Sequence, residues 1–184
     1  MSLTPSNMIP LGTVAPTFTL PDTVSGKIVS LQELKGEKAT VIMFICNHCP
    51  YVKHVNPELV KLANDYQIKG VNFIAISAND VATHPEDSPV KMKETALKEK
   101  YLFPYLYDQT QQAAKEYDAA CTPDFYIFDA ELKLVYRGQL DDSRPSNTVP
   151  LSGKDVRDAL DNLLAGKPVS PHQRPSIGCN IKWK

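Results

Sequence analysis

The chain has 184 residues, a formal net charge of −1 and four cysteines. A chain of this length can bury a core without disulfide staples, and four cysteines are too few for a disulfide scaffold. The balanced charge, without a Lys/Arg-rich run, argues against binding to nucleic acid or to an anionic membrane. No apolar run is long enough to span a bilayer. Because the first residues lack the charged and apolar regions of an export signal, we expect a cytoplasmic protein, in which a disulfide is more often catalytic than structural.

The first half of the chain alternates between predicted strands and a helix. Two short apolar segments, 18–20 and 28–31, flank a turn and predict a small β-hairpin. The apolar run 39–45 predicts a strand buried on both faces, and a helix-period pattern follows it. The next strand, 71–77, is expected to pair parallel with the first one because a βαβ crossover connects them.

The second half of the chain continues this alternation after a polar loop at residues 79–89. Two adjacent strands separated by three residues predict an antiparallel hairpin. The remaining pattern ends in an amphipathic helix that stops at Gly166 and Pro168. The predicted elements are a helix at about 90–100, a strand at 104–107, a helix at about 110–117, strands at 124–128 and 132–136, and the last helix from about residue 153.

We interpret residues 1–184 as a single domain, with a core of about 10–165 and a C-terminal tail at 166–184. The tail is rich in proline, but its last residues include Ile177, Ile181 and Trp183. These apolar side chains predict that the tail docks onto the domain instead of remaining disordered.

Cys46 and Cys49 stand between the central strand and the helix that follows it. In an open α/β sheet, ligands and reactive residues lie at the carboxyl ends of the strands. A helix N-terminus also favours a thiolate over a thiol. We place Cys46 at the N-cap and Cys49 in the first turn. Cys46 is then the more exposed, attacking sulfur, and Cys49 resolves the mixed disulfide. A protonated His48 between them would stabilise the Cys46 thiolate.

A lone Cys-x-x-Cys also fits half of a zinc site or two buried small side chains. The other zinc ligands would have to be Cys121, Cys179 or a histidine, because no second Cys-x-x-Cys exists. Thr122 and Pro123 favour redox chemistry instead. A proline directly before a strand is often cis, and Thr122 would then offer its backbone to an extended peptide. The alternative is an ordinary proline that begins a strand.

The order of these elements resembles the thioredoxin fold, an α/β fold in which helices flank a central mixed sheet. The front half, with its N-terminal hairpin, contains Gly12-Thr-Val-Ala-Pro16-x-Phe18-x-Leu20 and Val29-Ser-Leu-x-x-Leu34-x-Gly36. It is similar to the AhpC/TSA, peroxiredoxin-like branch of thioredoxin-fold proteins. The resemblance covers about residues 10–184. The other matching motifs are Cys46-Asn-His-Cys-Pro-Tyr-Val-Lys53 and segments 85–89, 121–124, 141–145 and 175–183.

The resemblance implies one of two chemistries. A peroxiredoxin has a Pro-x-x-x-Thr-x-x-Cys motif and a separate arginine that polarises the peroxide. When Cys49 is aligned with the peroxide-reacting cysteine, other residues replace the proline, the threonine and the arginine, namely Ile42, Cys46 and Pro123. The resemblance therefore implies a thiol–disulfide oxidoreductase that uses Cys46 and Cys49, with support from His48, Thr122 and Pro123.

Neither an organic cofactor nor a metal is implied by this chemistry. The expected partners are protein or low-molecular-weight thiols and disulfides, with a thioredoxin-type electron donor and without nucleic acid or membrane. The alternatives are an antioxidant peroxidase with Cys49 as the peroxide-reacting thiol, and a metal-binding or non-catalytic protein on the same scaffold.

Two further cysteines are candidates for additional redox thiols. Cys121 lies two residues before Pro123 and is expected near the dithiol. The docked tail would bring Cys179 to the dithiol or to Cys121. The alternative for each is a packed or surface thiol without a redox role. The buried acid of thioredoxins aligns with Thr40, so the sequence identifies no proton acceptor for Cys49.

Overall fold

The computed structural model describes residues 3–184, and it forms three β-sheets packed with five α-helices within that range. The helices are α1 (Leu31–Leu34), α2 (Pro50–Tyr66), α3 (Pro89–Glu99), α4 (Gln112–Glu116) and α5 (Lys154–Leu164). The strands are β1 (Leu3–Pro5), β2 (Thr19–Pro21), β3 (Ile28–Ser30), β4 (Ala39–Phe44), β5 (Val71–Ser77), β6 (Tyr105–Tyr107), β7 (Cys121–Thr122), β8 (Asp124–Asp129), β9 (Leu134–Gly138) and β10 (Ile177–Asn180).

A five-stranded mixed sheet with the order β6-β5-β4-β8-β9 forms the centre of the molecule. β4 pairs parallel with β5, and β5 pairs parallel with β6, whereas β8 is antiparallel to both β4 and β9. All six residues of β4 are buried, as the continuous apolar run predicts. The parallel β4–β5 pair, the β8–β9 hairpin and the β2–β3 hairpin are thus confirmed.

Each face of the central sheet has its own apolar core, because side chains alternate along a strand. Val41 and Met43 of β4 face the helices α2, α3 and α5. Ile42 and Phe44 face the opposite layer, which contains α1 and α4. On that side the ring of Tyr117 packs at a tilt against Phe44 of β4 and edge-on against two aromatic rings of β8. The two cores fix the carboxyl end of β4 between helical layers.

The start of α2 differs from the sequence prediction. The helix begins at Pro50, and Cys49 is its N-cap. We expected Cys46 at that position and Cys49 inside the first turn. Proline fits the first helical position because its fixed φ suits the helix and its missing N–H has no intrahelical partner to lose. Pro50 therefore places the N-cap at Cys49, three residues beyond Cys46.

The C-terminal tail forms a strand that completes a second sheet. β10 pairs antiparallel with β1 on one edge and with β7 on the other, so the sheet order is β1-β10-β7. Beyond this strand Ile181 is buried against the core, and the ammonium group of Lys115 lies 6.0 Å from the ring centre of Trp183. The tail thus covers the segment that precedes β8.

No helix in the described part of the chain combines the length and the apolarity that crossing a bilayer requires.

Candidate redox site

The dithiol lies just beyond the carboxyl end of β4, in the turn that leads into α2. Both cysteines are buried, with 1% of Cys46 and none of Cys49 exposed to solvent. The prediction that Cys46 is the more exposed sulfur is therefore not met in this conformation. The reason is that the tail and the loop before α3 both pack over the turn. Access for a partner requires one of these segments to move.

Thr122 and Pro123 face the dithiol from the segment before β8. The peptide bond between them is cis, as the sequence analysis predicts for a proline at this place. The hydroxyl oxygen of Thr122 lies 3.4 Å from Cys46 Sγ, and its carbonyl oxygen lies 3.4 Å from Cys49 Sγ. One residue thus contacts both sulfurs.

Cys179 is the third sulfur of the site. β10 places it opposite Thr122 in the register of the sheet, and its Sγ lies 2.7 Å from Cys49 Sγ. Gly178 precedes it at a point where the two backbones approach closely. A Cβ at Gly178 would lie 1.9 Å from the carbonyl oxygen of Thr122, so only glycine fits there without movement.

Cys121 does not join this group. Its side chain is fully buried, and its sulfur contacts the carbonyl oxygen of Pro123 at 3.9 Å. Residues 121 and 122 are successive on a strand, so their side chains point to opposite faces. Burial raises the pKa of the Cys121 thiol, and nearby negative charges raise it further. The structure brings Cys46, Cys49 and Cys179 together, and it leaves Cys121 as a packed thiol.

The negative charge of the dithiol belongs on Cys49. The hydrogen bond from the Cys46 thiol is the largest cause that lowers the pKa of Cys49 to about 5, and the Cys179 thiol adds a second bond. The backbone N–H groups of Val52 and Cys179 also act to lower the pKa of Cys49. These donors outweigh the burial of Cys49, which acts to raise its pKa.

The other two thiols stay protonated when Cys49 is charged. Hydrogen bonding to Cys49 is the largest cause that raises the pKa of Cys46, and burial and the Asp87 charge raise it further. Burial raises the pKa of Cys179 to about 12, and its hydrogen bond to Cys49 acts in the same direction. The thiols of Cys46 and Cys179 are thus both hydrogen-bond donors to the Cys49 thiolate. The sequence analysis placed the thiolate on Cys46 instead.

A buried carboxylate organises the residues between the two cysteines. Asp87 has no exposed surface. Its Oδ1 accepts hydrogen bonds from the backbone N–H groups of Asn47 and His48, at 2.8 and 3.2 Å. Its Oδ2 lies 2.6 Å from Nδ1 of His48 and accepts a bond from the side chain of Asn79 at 2.8 Å. Asp87 therefore holds the turn through three contacts, and Asn79 provides the fourth contact of its carboxylate.

His48 and Asp87 form an ion pair. The hydrogen bond to Asp87 is the main cause that raises the pKa of His48. Burial acts to raise the pKa of Asp87, but the bonds from His48 and Asn79 lower it overall. The His48 ring also stacks on the ring of His84, with 5.0 Å between centres. The charge of His48 is thus paired with Asp87, and the predicted stabilisation of a Cys46 thiolate by His48 is offset by that carboxylate.

The same cluster contains the donor atoms for a metal ion. Cys46, His48 and Asp87 each offer one donor atom, and these atoms lie within 4.8 Å of one another. Thiolate, imidazole and carboxylate are the usual ligands of zinc. However, both oxygens of Asp87 already accept hydrogen bonds, so a metal would have to replace the His48–Asp87 contact.

Sequence reasoning missed Asp87 and its neighbours. The sequence analysis treated residues 79–89 as a polar loop, and only the segment 85–89 entered through the resemblance. The signal that could have identified Asp87 is the position of its loop, which directly follows β5. β5 is the parallel neighbour of β4, so the carboxyl ends of both strands lie at one edge of the sheet.

Comparison with known proteins identifies the family and the fold. The profile of the AhpC/TSA family matches residues 11–137. The solved structure of an uncharacterized conserved protein from Geobacillus kaustophilus has 62% sequence identity and a TM-score of 0.98, and the match covers 100% of this chain and 97% of that one. The thioredoxin domain of a thiol-disulfide oxidoreductase from Bacteroides vulgatus has 24% identity and a TM-score of 0.62, with 73% and 91% covered. The predicted thioredoxin fold is confirmed.

Two curated relatives carry names that describe an activity. The thiol-disulfide oxidoreductase ResA of Halalkalibacterium halodurans is 35% identical over 69 residues, which is 38% of this chain and 38% of that protein. The thiol-disulfide oxidoreductase YkuV of Bacillus subtilis is 27% identical over 101 residues, which is 55% of this chain and 66% of that protein. The matches thus span less than two thirds of the length of either relative.

Proposed function

The chain belongs to the AhpC/TSA family, and we propose that it is a thiol–disulfide oxidoreductase that acts through Cys46 and Cys49. One observation carries this proposal. A buried Cys-x-x-Cys pair at a helix N-terminus faces a cis Thr122–Pro123 bond, and hydrogen bonds to Cys49 lower the pKa of its thiol. Both curated relatives are named for thiol–disulfide oxidoreduction, which agrees with it.

Exchange would begin with a proton transfer inside the pair. The lowered pKa of Cys49 makes it the thiolate of the pair, so Cys49 accepts the proton of Cys46 as the Cys46 sulfur attacks a substrate disulfide. The substrate S–S bond breaks, one substrate sulfur leaves as a thiolate, and a mixed disulfide forms on Cys46. Cys49 then attacks Cys46 and passes its proton to the second leaving sulfur, which gives a Cys46–Cys49 disulfide. The leaving substrate sulfur thus takes the proton of Cys49, for which the sequence identifies no acceptor.

Thr122, Pro123 and His48 would support this exchange without taking part in bond changes. The Thr122 hydroxyl contacts the attacking sulfur, and its backbone, which pairs with β10 in this structure, is the edge at which an extended peptide would pair. The ion pair of His48 with Asp87 fixes the turn between the cysteines. The partners would be protein or small-molecule disulfides, with a thioredoxin-type donor that returns the pair to the dithiol.

Substitution of each cysteine tests these roles. Cys46→Ser should abolish the reduction of insulin disulfides, because no sulfur remains to attack. Cys49→Ser should accumulate a mixed disulfide on Cys46, which denaturing gels without reductant would detect, and the disulfide should form more slowly because the variant also lacks the acceptor of the Cys46 proton. Cys121→Ser removes a thiol of equal burial outside the group and serves as the control. Activity that survives in Cys46→Ser would refute the assignment of Cys46.

One observation favours a peroxidase as the second candidate. The lowered pKa of Cys49 gives it the charge that a peroxide-reacting thiol needs. Against this, Cys46 and Pro123 occupy the positions of the peroxide-activating threonine and arginine. Rapid peroxide consumption with sulfenic acid trapped on Cys49 would support the peroxidase over disulfide exchange.

The donor cluster of Cys46, His48 and Asp87 favours a metal-binding protein as the third candidate. Elemental analysis of the purified protein distinguishes it from the redox enzyme. Stoichiometric zinc or copper that disappears in Cys46→Ser and in Asp87→Asn would support metal binding, whereas metal at trace level in the active protein would exclude it.

A further inference from the structure

The tail occupies the backbone edge that the proposed exchange offers to a substrate. β10 pairs antiparallel with β7, and Cys179 stands opposite Thr122. An extended peptide that adds to this edge would make the same type of contact. The chain thus presents one of its own cysteines at the place where a substrate cysteine would lie.

This pairing brings the Cys179 sulfur within bonding range of Cys49. The two sulfurs lie 2.7 Å apart, compared with about 2.05 Å in a disulfide. Both side chains are buried, and neither sulfur is in a disulfide in this state. The close backbone approach at Gly178, where a Cβ would meet the Thr122 carbonyl, holds β10 at this distance. A small movement of either sulfur is sufficient for a bond.

From this geometry we propose that Cys179 is a third redox thiol, which takes over the disulfide of the oxidised dithiol. The Cys179 sulfur attacks Cys49 of the Cys46–Cys49 disulfide. A Cys49–Cys179 bond forms, the Cys46–Cys49 bond breaks, and Cys46 leaves with the proton that Cys179 gives up. The number of disulfides is unchanged, so no further oxidant is needed. The inference rests on the proposed function, because exchange with a substrate disulfide supplies the first oxidation.

The transfer has two consequences for the site. It restores Cys46 as a thiol while the protein remains oxidised. It also ties β10 covalently to α2, so that the edge of Thr122 stays covered until a donor reduces the Cys49–Cys179 bond. In the oxidised form the Cys49–Cys179 bond thus keeps β10 in place over Thr122. In the reduced form only non-covalent contacts hold β10.

Disulfide mapping by mass spectrometry tests this transfer. The reduced protein is treated with one equivalent of a low-molecular-weight disulfide, the remaining thiols are alkylated, and the protein is digested with trypsin. Lys38 and Lys53 flank a peptide that contains Cys46 and Cys49 without Cys179. We expect that peptide to be linked to the Cys179 peptide, with Cys46 alkylated. A disulfide confined to Cys46 and Cys49, with Cys179 alkylated, would overturn the proposal.

Two variants sharpen the result. In oxidised Cys179→Ser, the disulfide should remain between Cys46 and Cys49, so alkylation of Cys46 is lost. The matched control, Cys121→Ser, should keep the wild-type linkage, because the Cys121 sulfur contacts the carbonyl oxygen of Pro123. Unchanged Cys46 alkylation in Cys179→Ser would contradict the proposal. Cys179→Ala repeats the test with an apolar side chain in case serine disturbs the buried site.

Failure of the proposal for Cys179 and failure of the proposed function give different experimental results. If insulin reduction depends on Cys46 and Cys49 while Cys179 never enters a disulfide, only the third thiol is refuted. If no disulfide substrate reacts with the wild-type protein, the proposed function itself fails, whatever linkage a chemical oxidant produces.

Discussion

Cys49 carries the charge of the dithiol because of what surrounds its sulfur. Two thiols and two backbone N–H groups direct hydrogen bonds toward it. Hydrogen bonds to the charged form favour that form, and here they prevail over desolvation. Cys46 is less acidic but is an intrinsically stronger nucleophile once deprotonated, because thiolate reactivity rises with pKa. The two cysteines therefore divide acidity and nucleophilicity between them.

Titration of the thiolate tests this division. In the reduced wild-type protein, one thiolate should form with a midpoint of about 5, visible as ultraviolet absorbance. Cys49→Ser should lose this signal at neutral pH, since burial still raises the pKa values of Cys46, Cys121 and Cys179 when Cys49 is absent. Cys121→Ser should retain it. An acidic thiolate that persists in Cys49→Ser would place the charge on another sulfur.

The ion pair of His48 and Asp87 makes stability depend on pH. The raised pKa of His48 contributes stability fully below about pH 6.5, and this is lost as the pH rises through the folded-state value. The lowered pKa of Asp87 contributes above about pH 3.9, and this is lost as the pH falls through its folded-state value. Both contributions are present together between about pH 4 and pH 6.5.

Asp87→Asn should therefore destabilise the protein most within that window. We expect a loss of roughly 1.5–3 kcal/mol near pH 5.5, as for a hydrogen bond to a charged group, and a smaller loss near pH 9. Urea unfolding at the two pH values measures the difference. Glu86→Gln removes an exposed neighbouring carboxylate and should change stability by less than about 0.5 kcal/mol. Equal losses for Asp87→Asn at both pH values would exclude the ion pair as their cause.

Among the secondary-structure elements, β10 is the one that completes the site. It contributes Cys179 and covers the backbone of Thr122, and β1 pairs with its other edge. Its position depends on Gly178, because any side chain there would meet the carbonyl oxygen of Thr122. The contact between Cys49 and Cys179 is thus a property of the strand pairing as a whole.

Gly178→Ala should move β10 away from β7. An added methyl group in a packed contact costs about 1–3 kcal/mol, and the larger sulfur separation should reduce formation of the Cys49–Cys179 disulfide. Urea unfolding and disulfide mapping measure the two effects. Ile177→Ala is the control on the same strand, because it truncates a side chain that is 39% exposed and leaves the backbone contact intact. Normal disulfide yield in Gly178→Ala would show that the close approach is not required.

At the scale of the whole molecule, the sequence predicts the sheet well because its signals are local or periodic. The buried run of β4, the crossover to β5 and the β8–β9 hairpin each follow from residues that are close in the chain. The cis proline also follows from its place directly before a strand. These features settle the scaffold and the position of the dithiol at the sheet edge.

The chemistry of the site is less predictable because it depends on long-range contacts. Asp87 reaches the dithiol turn from the loop after β5, and no local pattern marks it as buried. The N-cap position of Cys49, three residues from the expected one, moves the helix N–H groups from Cys46 to Cys49. The contact of Cys179 with Cys49 needs the tertiary path of the tail. The identity of the charged sulfur is therefore determined only by the packing of these segments in the folded protein.

The separation of Cys49 and Cys179 along the chain has a consequence for protein synthesis. The two sulfurs are 130 positions apart. At a translation rate of about 5–20 residues per second, on the order of ten seconds pass between their synthesis. During that interval the dithiol has no β10 to cover it, and it is open to cellular oxidants and chaperones. The nascent chain therefore carries a reactive cysteine pair that the folded domain conceals, and the synthesis and pairing of β10 end this exposure.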